Sequence, residues 1–583
     1  MLPLYRPSVS SRSSVDLDEL RRALAQVVGE TRVSAKPADR NIYARDMWPR
    51  LLISTRAGVP AEYPPDLVVW PETLAELAAI VSTARRLRVP LVPYGAGSGV
   101  AGGALAIFGG VTIDMKRMDR VISIDPAALT VEAEAGINGE RLERELARRG
   151  LTLGHFPSSI YCSTLGGWLA ARSGGQMSTK YGKIEDMVLA VTAVTGRGDI
   201  VTTGRHGRAA SGPDWTQLLV GSEGTLGVIA SARLRVRPRP EARHLRGFEF
   251  QRLTAGLEAI RRVLQRGLRP AAIRLYDEFD SALNFARKDS GSSATGETRR
   301  PNAPPIGGRA GFSAQREPGE GAIPELPTGV AQADEGPLSW VRTLIPGVGG
   351  TGQRLWRAAL GAVLERPRAL NALLESAATS LSRRGCLLIV GVEGARPRAD
   401  VEAQLVWREL EQAGGKDLGA EAGDKWLARR YAVSYEMPKM FNAGAFVDTM
   451  EVAATWERLL DLYTGVRQAI AEHALVMAHF SHAYAEGCSI YFTFAGHAGS
   501  RQAAERKYDA IWRDGLHAAT RAGGTISHHH GVGLLKAPFM ADEHRESMAL
   551  YEALKDALDP DGICNPGKMG LVPAPSLAAV ERS

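Results

Sequence analysis

Three consecutive histidines, His528, His529 and His530, stand between Gly523–Gly524 and Gly531 near the end of the chain. The run is internal, so it is not a terminal tag. Imidazole groups titrate near neutral pH and can accept a proton from a substrate. In an extended run, the first and third rings would share one side and the second ring would face the other. The triple predicts an acid–base centre, and a loop of surface histidines is the alternative that the sequence leaves open.

Three glycine-rich segments in the first 230 residues form a second group of candidate functional residues. They read PYGAGSGVAGG (93–103), FPSSIYCSTLGGWLAARSGG (156–175) and VGSEGTLGVI (220–229). Glycine lets a backbone approach a ligand closely, and successive bare N–H groups can hold an anion. The segments lack the Lys–Ser/Thr pair of a P-loop and fit the Rossmann fingerprint badly. Together they predict one shared ligand, with a pyrophosphate suited to the first segment.

The elements that position these segments follow from hydrophobic periodicity. Residues 16–29 predict a helix that stops at Gly29. Residues 67–70 predict a buried strand, 72–87 an amphipathic helix and 89–95 a second strand that enters the first glycine-rich turn. The first 240 residues therefore predict an α/β region.

The second half of the chain differs in its predicted elements and contains a segment of biased composition. Residues 271–277 and 386–394 predict strands, and residues 399–415 predict a helix, as in a separate α+β domain. Residues 289–337 are dominated by Gly, Pro, Ser, Thr and charged residues. Such a segment buries too little apolar surface to offset its ordering entropy, so it predicts a disordered insertion.

Composition excludes several classes of protein. With 44% hydrophobic and 23% charged residues the chain predicts a globular fold, and its four cysteines share no spacing typical of zinc or disulfides. The net charge of +7 comes without a basic block, which argues against nucleic acid. Without a secretory signal or an apolar run of 18 residues, a cytoplasmic protein is expected. Peripheral membrane contact and a homodimer stay open.

A larger set of motifs carries a family resemblance. The chain resembles the vanillyl-alcohol-oxidase / p-cresol-methylhydroxylase (PCMH-type) class of FAD-binding flavoenzymes, and within it the alkyldihydroxyacetonephosphate synthases. The resembling pieces span most of residues 40–540: VVWPET, PYGAGSG, GHFPSSIYCSTLGGW, KYGKIEDMV, GSEGTLGVI, IRLYD, GCSIYFTF and GGTISHHHGVG.

The resemblance implies an α+β fold with a two-lobed α/β FAD-binding domain and an inserted α+β cap domain. The expected parts are an N-terminal helical segment (1–62), the PCMH-type FAD-binding domain (63–240), the cap or substrate domain with its insertion (241–499, with 289–337) and a C-terminal helical segment with the histidine triple (500–583). The synthases hold FAD without a covalent bond, so non-covalent FAD is expected.

The resemblance also carries over the cofactor site, residue by residue. The pyrophosphate loop would be Pro93, Tyr94, Gly95, Ala96, Gly97, Ser98 and Gly99; the flavin and ribityl contacts Ser158, Ser159, Ile160, Tyr161, Cys162, Ser163 and Thr164; the phosphate region Ala170, Ala171, Arg172 and Ser173; and the adenosine side Glu223, Gly224, Thr225, Leu226, Gly227, Val228 and Ile229.

The family resemblance also implies catalytic roles for individual residues. The resemblance implies that the histidine triple is needed for activity, that Tyr491 works as an acid–base group and that Arg274 is an important arginine. From the sequence alone, Tyr491 would be an ordinary strand aromatic and Arg274 a solvated or ion-paired strand residue.

Two departures from the pattern bear on the substrate. The synthases place a substrate-binding arginine where this chain has Met437, and Lys439 nearby offers only a point charge. In the neighbouring branch of D-lactate and D-2-hydroxyglutarate dehydrogenases, His479 would match a first metal ligand. Two of the three ligands are changed here, so no metal is expected, and His479 is kept as a substrate contact.

Two functions follow. The favoured one is an FAD-dependent oxidoreductase of the synthase-like branch, in which hydride passes from an alcohol or hydroxy acid to flavin N5. The alternative is an alkylglycerone-phosphate synthase, in which a fatty alcohol replaces the acyl chain of acyl-dihydroxyacetone phosphate without net redox change. Either substrate is a small or lipid-derived molecule.

Overall fold

The computed structural model of this chain describes most of its residues. The described ranges are 16–204, 209–282, 361, 364–373, 385–431, 441 and 444–571. The predicted insertion (289–337) lies outside them, and so do Met437 and Lys439.

The N-terminal helices begin the fold. Helix α1 (Leu17–Val28) starts at Asp16, whose side chain accepts a hydrogen bond from a first-turn amide, and ends at Gly29 with φ of +89°. This confirms the helix predicted over 16–29. Helices α2 (Pro37–Ile42) and α3 (Pro49–Arg56) follow, both with proline in the first turn.

The first sheet has the strand order β1-β2-β4-β3. Its strands are β1 (Val33–Ser34), β2 (Leu67–Val69), β3 (Leu91–Tyr94) and β4 (Val111–Asp114). Strands β2 and β3 each pair in parallel with β4, and helix α4 (Leu74–Arg86) makes the crossover between them. The predicted strand–helix–strand unit over 67–95 is confirmed, and it delivers the first glycine-rich turn at the carboxyl end of β3.

The second sheet is antiparallel, with the order β5-β6-β10-β8-β9. Its strands are β5 (Val121–Asp125), β6 (Thr130–Glu134), β8 (Val188–Thr195), β9 (Ile200–Thr202) and β10 (Gly227–Arg235), while β7 (Leu151–Thr152) and β11 (Arg237–Pro238) form a ribbon. Its helices are α5 (Gly139–Ala147), α6 (Leu165–Ala170), α7 (Ser178–Tyr181), α8 (Ile184–Met187) and α9 (Trp215–Leu219). The second glycine-rich segment leads into α6, and the third leads into β10, as predicted.

The third sheet is antiparallel and has the order β15-β12-β14-β13-β17-β18-β16. Its strands are β12 (Ala242–Phe250), β13 (Ala272–Tyr276), β14 (Cys386–Gly394), β15 (Lys416–Asp417), β16 (Phe446–Thr455), β17 (Leu475–Ala483) and β18 (Gly487–Gly496). Its helices are α10 (Leu253–Gln265), α11 (Arg396–Gln412), α12 (Glu421–Arg429) and α13 (Leu459–Ala471). The sheet runs from 242 to 496, and the predicted domain limits themselves stay a prediction.

The C-terminal part is helical and returns to the first sheet. Helices α14 (Arg501–Arg521), α15 (Met540–His544) and α16 (Ser547–Leu558) follow one another, and the histidine triple lies in the loop between α14 and α15. After α16, the backbone of Cys564 forms an isolated parallel β-bridge with Leu91 of β3. The mixture of helices and sheets confirms the α+β class. Within the described ranges, no helix combines the length and apolar content needed to cross a membrane.

Candidate active site

One face of the third sheet carries polar side chains in a row across four strands. Strand pairing sets Glu451 of β16 opposite Tyr491 of β18, Tyr491 opposite His479 of β17, and His479 opposite Tyr276 of β13. Paired residues share a face, because successive side chains of a strand alternate. The rings of Tyr491 and His479 are stacked, with centroids 4.7 Å apart. The sheet therefore presents a phenol beside an imidazole and a carboxylate.

Glu451 anchors the loop that carries the histidine triple. Its carboxylate accepts hydrogen bonds from the backbone N–H groups of His528 (2.6 Å), His529 (3.3 Å) and His530 (2.8 Å), and from Lys536 Nζ at 3.1 Å. The side chain is fully buried. Burial alone would raise the pKa of Glu451, but Lys536, the nearby histidines and the backbone donors outweigh it, so the pKa lies below its usual value. One ionised carboxylate thus sets the backbone of all three histidines.

The loop bends instead of extending, so the three rings do not simply alternate. His529 is buried and its Nε2 contacts the hydroxyl of Tyr491, whereas the ring of His530 lies edge-on to Tyr491 at 5.7 Å. His528 Nδ1 lies 2.9 Å from His529 Nδ1. The burial of His529 argues against the alternative of a surface loop, and the role of the triple in a site stays a prediction. The structure brings Tyr491 and the whole triple together.

Burial sets the protonation state of these groups. It lowers the pKa of His530 to about 4 and that of His528 to about 3, and it lowers the pKa of His529 well below its usual value. Burial, reinforced by the negative charge of Glu451, raises the pKa of Tyr491. At neutral pH the cluster therefore consists of neutral imidazoles around a protonated phenol. Neutral imidazoles accept protons, as the predicted acid–base role requires.

The first 240 residues hold the loop from the other side. Glu223 accepts hydrogen bonds from the backbone N–H groups of Val532 (2.6 Å) and Gly533 (2.7 Å), and Lys183 donates to the carbonyl of His528. A side chain at Gly174 would meet the ring of His529 at 3.2 Å. The loop is therefore clamped between the second and third sheets.

Arg274 shares the polar face of the sheet. It stands two residues before Tyr276 on β13, is partly buried, and lies close enough to His479, His482 and Tyr491 to affect their pKa values. Among the described residues, none accepts a hydrogen bond or forms an ion pair with its guanidinium. A partly buried cation that has no partner in the described part of the chain is suited to an anionic group of a ligand.

The turn after β3 fits the pyrophosphate of FAD. Within the described ranges, no protein group accepts a hydrogen bond from the backbone N–H groups of residues 96–99. A Cβ atom on Gly95 would lie 2.3 Å from the hydroxyl of Thr164, the residue that caps α6. The turn therefore needs glycine, and it presents free donors at the junction of the first two sheets.

Unpaired polar atoms mark the space for the flavin ring. On the polar sheet face these atoms are His479 Nε2 and the hydroxyls of Ser481 and Ser489, and on the loop the atom is His530 Nδ1. All four are buried, and none has a hydrogen-bond partner among the residues that the structure describes. A flavin ring carries carbonyl and ring nitrogen groups that can satisfy such atoms. The donor set fits FAD, which would sit between the turn, α6 and the polar face of the sheet.

Several predicted cofactor side chains already have protein partners. Ser163 bonds to Trp168, Ser158 accepts from Gln176, and Arg172 donates to the carbonyls of Val220 and Gln217. Cys162 is exposed and reduced. Leu226 and Val228 are buried in hydrophobic cores. The role of these residues in binding FAD stays a prediction.

Three buried groups of the site escaped sequence reasoning: Glu451, Lys536 and His482. An acidic residue inside the apolar strand FVDTMEVAAT was the available signal for Glu451. Ligand atoms of Glu451, His528 and His529 lie within 4.8 Å of one another, as in a metal site. The carboxylate is already engaged by backbone donors and by Lys536, which competes with a cation, and the predicted absence of a metal stays a prediction.

Two family models match the chain. The FAD binding domain covers residues 65–204, and the C-terminal domain of FAD-linked oxidases covers residues 239–305 and 359–569. The chain belongs to the FAD-linked oxidase family. This confirms an FAD enzyme; the non-covalent attachment stays a prediction.

Individual relatives of this FAD-linked oxidase refine the picture. It is 29% identical over 534 residues to alkyldihydroxyacetonephosphate synthase of Dictyostelium discoideum, across 89% of this chain and 75% of the relative. A solved structure of alkyldihydroxyacetonephosphate synthase matches with a TM-score of 0.68 at 25% identity, over 95% of this chain and 85% of the other. The structure of p-cresol methylhydroxylase with bound substrate also gives 0.68, at 14% identity, over 97% and 98%. The PCMH-type fold and the predicted resemblance are confirmed.

Proposed function

We propose that this FAD-linked oxidase catalyses the group exchange of an alkyldihydroxyacetonephosphate synthase, replacing the acyl chain of acyl-dihydroxyacetone phosphate by a fatty alcohol. The observation that carries the proposal is the Tyr491–His529 contact, set among neutral imidazoles and within the electrostatic reach of Arg274. The sequences of two alkyldihydroxyacetonephosphate synthases align with 89% and 96% of the chain. The proposal reverses the order of the two functions expected from sequence.

Group exchange without net redox change needs a proton to be removed and returned at the same centre. Bound FAD supplies an electron-accepting ring. The phenol of Tyr491 holds a proton at neutral pH, and His529 Nε2 orients that proton by accepting the hydrogen bond of the hydroxyl. Burial of the cluster keeps bulk water from competing for that proton.

Arg274 would hold the phosphate of the substrate. Its guanidinium lies on the same sheet face as Tyr491 and has no partner among the described residues. Replacing Arg274 by alanine is expected to raise KM for a phosphorylated substrate about tenfold to a hundredfold, as for loss of a charge-assisted hydrogen bond. Steady-state kinetics would test this, with Arg243, paired to Glu393 in the same sheet, as the matched control.

A cavity supports an aliphatic substrate part. It has a volume of about 550 Å³, and its lining combines apolar side chains, among them Leu218, Leu550 and Leu554, with polar ones that include His528 and His529. A pocket of mixed lining can take a substrate that has an apolar chain and a polar group.

The runner-up is a redox enzyme that oxidises an alcohol or hydroxy acid. Met437 favours it, because by resemblance an arginine for the phosphate is expected there. Without a fork of donors at that position, a phosphorylated substrate loses one anchor.

Anaerobic assays of the purified holoenzyme separate the two functions. Ether product from acyl-dihydroxyacetone phosphate and hexadecanol, with the flavin colour unchanged at the end, is expected. Bleaching of the flavin by alcohols or hydroxy acids, with no ether product, would overturn the proposal in favour of the redox enzyme.

A further inference from the structure

A fourth imidazole, His482, belongs to the cluster although its position in sequence gives no hint of it. His482 Nε2 lies 3.2 Å from the hydroxyl of Tyr491, and His482 Nδ1 lies 2.7 Å from the hydroxyl of Ser178. The side chain is 5% exposed, and its ring centroid is 4.6 Å from that of His529. The phenol of Tyr491 therefore lies between two imidazole Nε2 atoms, those of His482 and His529.

The backbone at His482 is held in an unusual conformation. Its φ is +51°, in the left-handed region that residues other than glycine rarely adopt. The residue sits in a bulge of β17, where the pairing with β18 shifts between Ser481 and Ala483. The bulge turns the ring towards Tyr491, as bulges do where a side chain must be re-aimed.

The hydrogen-bond partners of Ser178 determine the tautomer of His482. Tyr484 donates to the hydroxyl of Ser178 at 3.2 Å, and among the described residues this hydroxyl has only one other partner, His482 Nδ1. Ser178 is 1% exposed, so its own hydrogen would be unsatisfied unless it points to His482 Nδ1. His482 then accepts at Nδ1 and carries its hydrogen on Nε2, directed at Tyr491.

The tautomer of His482 in turn determines the direction of the hydroxyl hydrogen of Tyr491. A hydroxyl that accepts from His482 must send its single hydrogen elsewhere, and the other partner is His529 Nε2. His529 then carries its hydrogen on Nδ1, which lies 2.9 Å from His528 Nδ1. Neutral imidazoles allow every one of these tautomers, since burial lowers the pKa values of His482, His528 and His529.

We propose that His482 is a positioning residue that fixes the hydroxyl of Tyr491 as the hydrogen-bond donor to His529. Its Nε2–H donates to the phenol oxygen, directs the phenol hydrogen at His529, and stabilises negative charge that develops on the phenol oxygen during turnover. Ser178, on helix α7 of the FAD-binding half, holds His482 in the tautomer that does this.

The test of turnover rests on the proposed function and uses two substitutions that differ in reach. An asparagine amide occupies the position of Nδ1, whereas a glutamine amide reaches that of Nε2, and asparagine tolerates the left-handed conformation. His482→Asn is expected to lower kcat about 100-fold, as loss of a donor to a developing anion does, with KM and FAD content unchanged. His482→Gln should recover most of kcat. Equal kcat values for the wild type and His482→Asn would overturn the proposal.

Ser178 gives the matched pair for the tautomer. Ser178→Ala should lower kcat about tenfold, because loss of the single neutral hydrogen bond frees the ring to reverse its tautomer, and Ser178→Thr should restore it. Equal activity of the alanine and threonine variants contradicts the tautomer lock.

A measurement without substrate separates this proposal from the proposed function. Neutron diffraction from deuterium-exchanged crystals of the holoenzyme shows directly which ring nitrogen carries the hydrogen. Deuterium on Nε2 of His482, with none on Nδ1, is expected whatever reaction the enzyme catalyses. Deuterium on Nδ1 directed at Ser178 would overturn the proposal even if ether synthesis is confirmed.

Discussion

The two faces of the third sheet have opposite chemistry although they are made from the same strands. One face buries Phe480, Ile490 and Phe492 in a hydrophobic core, while the residues beside them in sequence, His479 and Tyr491, face the FAD-binding half. Because strand side chains alternate, one set of hydrogen bonds between strands supports both faces. The comparison teaches that the core fixes the register and the register aligns the site, since a slip by one residue would exchange the two faces.

Glu451→Gln is the most severe test of this division. It leaves Lys536 buried without an ion pair and weakens the acceptor of three backbone donors, so we expect the free energy of unfolding to fall by about 5 kcal/mol, the upper end for a broken buried ion pair. Urea unfolding measures the change. The neighbour on the opposite face supplies the control, because Met450→Leu should cost less than about 1.5 kcal/mol. Similar losses for both variants would contradict the anchor role of Glu451.

Phe492→Ala tests the core face. The side chain is fully buried, and its loss should lower the free energy of unfolding by about 3–4 kcal/mol through transfer and cavity terms. At a temperature where the variant stays folded, kcat should change less than threefold. A variant that is stable but inactive would show that the two faces are less separate than their alternation implies.

Tyr491→Phe tests the polar face by removing one oxygen. We expect kcat to fall about 100- to 1000-fold, in the range typical of a lost acid–base group, while the free energy of unfolding changes by about 1 kcal/mol. Stopped-flow kinetics and urea unfolding on the same preparation make the comparison. Full activity of the phenylalanine variant would remove Tyr491 from the acid–base role.

A pH dependence of stability should follow from the buried histidines of the polar face. The folded-state pKa values of His530 (about 4) and His528 (about 3) lie below the ordinary value, so the unfolded chain binds protons first as the pH falls. The contribution of each of these imidazoles to stability should be constant above about pH 6.5 and should fall between pH 6.5 and 4 by about 1 kcal/mol per pH unit. His530→Asn should flatten the curve measured by urea unfolding. Phe492→Leu should shift it without changing its slope.

Local patterns predicted many elements of this fold. The helix that stops at Gly29 and the strand over 386–394 agree with the structure because their signals lie within a few residues. Helix α11 begins at Arg396, three residues before the prediction of 399, since Pro397 occupies its first turn, where proline is tolerated. The glycine-rich motifs, which are short and contiguous, predicted a shared ligand, and the family resemblance identified that ligand as FAD.

The site was only partly predictable, for a physical reason. Tyr491, Arg274 and the histidine triple were named through a family motif, but Glu451 acquires its role from a strand register that joins distant residues. The orientation of His482 depends on a β-bulge that has no recognisable sequence pattern. Non-local pairing of this kind has no signature in a local window, so the partners of a known catalytic residue are what sequence analysis misses.

The clamp on the histidine loop has a consequence for how the enzyme is made. The bond from Val532 to Glu223 joins residues 309 positions apart, and the bond from Asn565 to the carbonyl of Glu223 joins residues 342 apart. A ribosome therefore releases the glycine-rich half of the cofactor site long before the loop that completes the centre exists. A nascent chain arrested after the third sheet would have a place for the pyrophosphate but would lack the histidine triple, so catalytic competence arrives as a late step of synthesis.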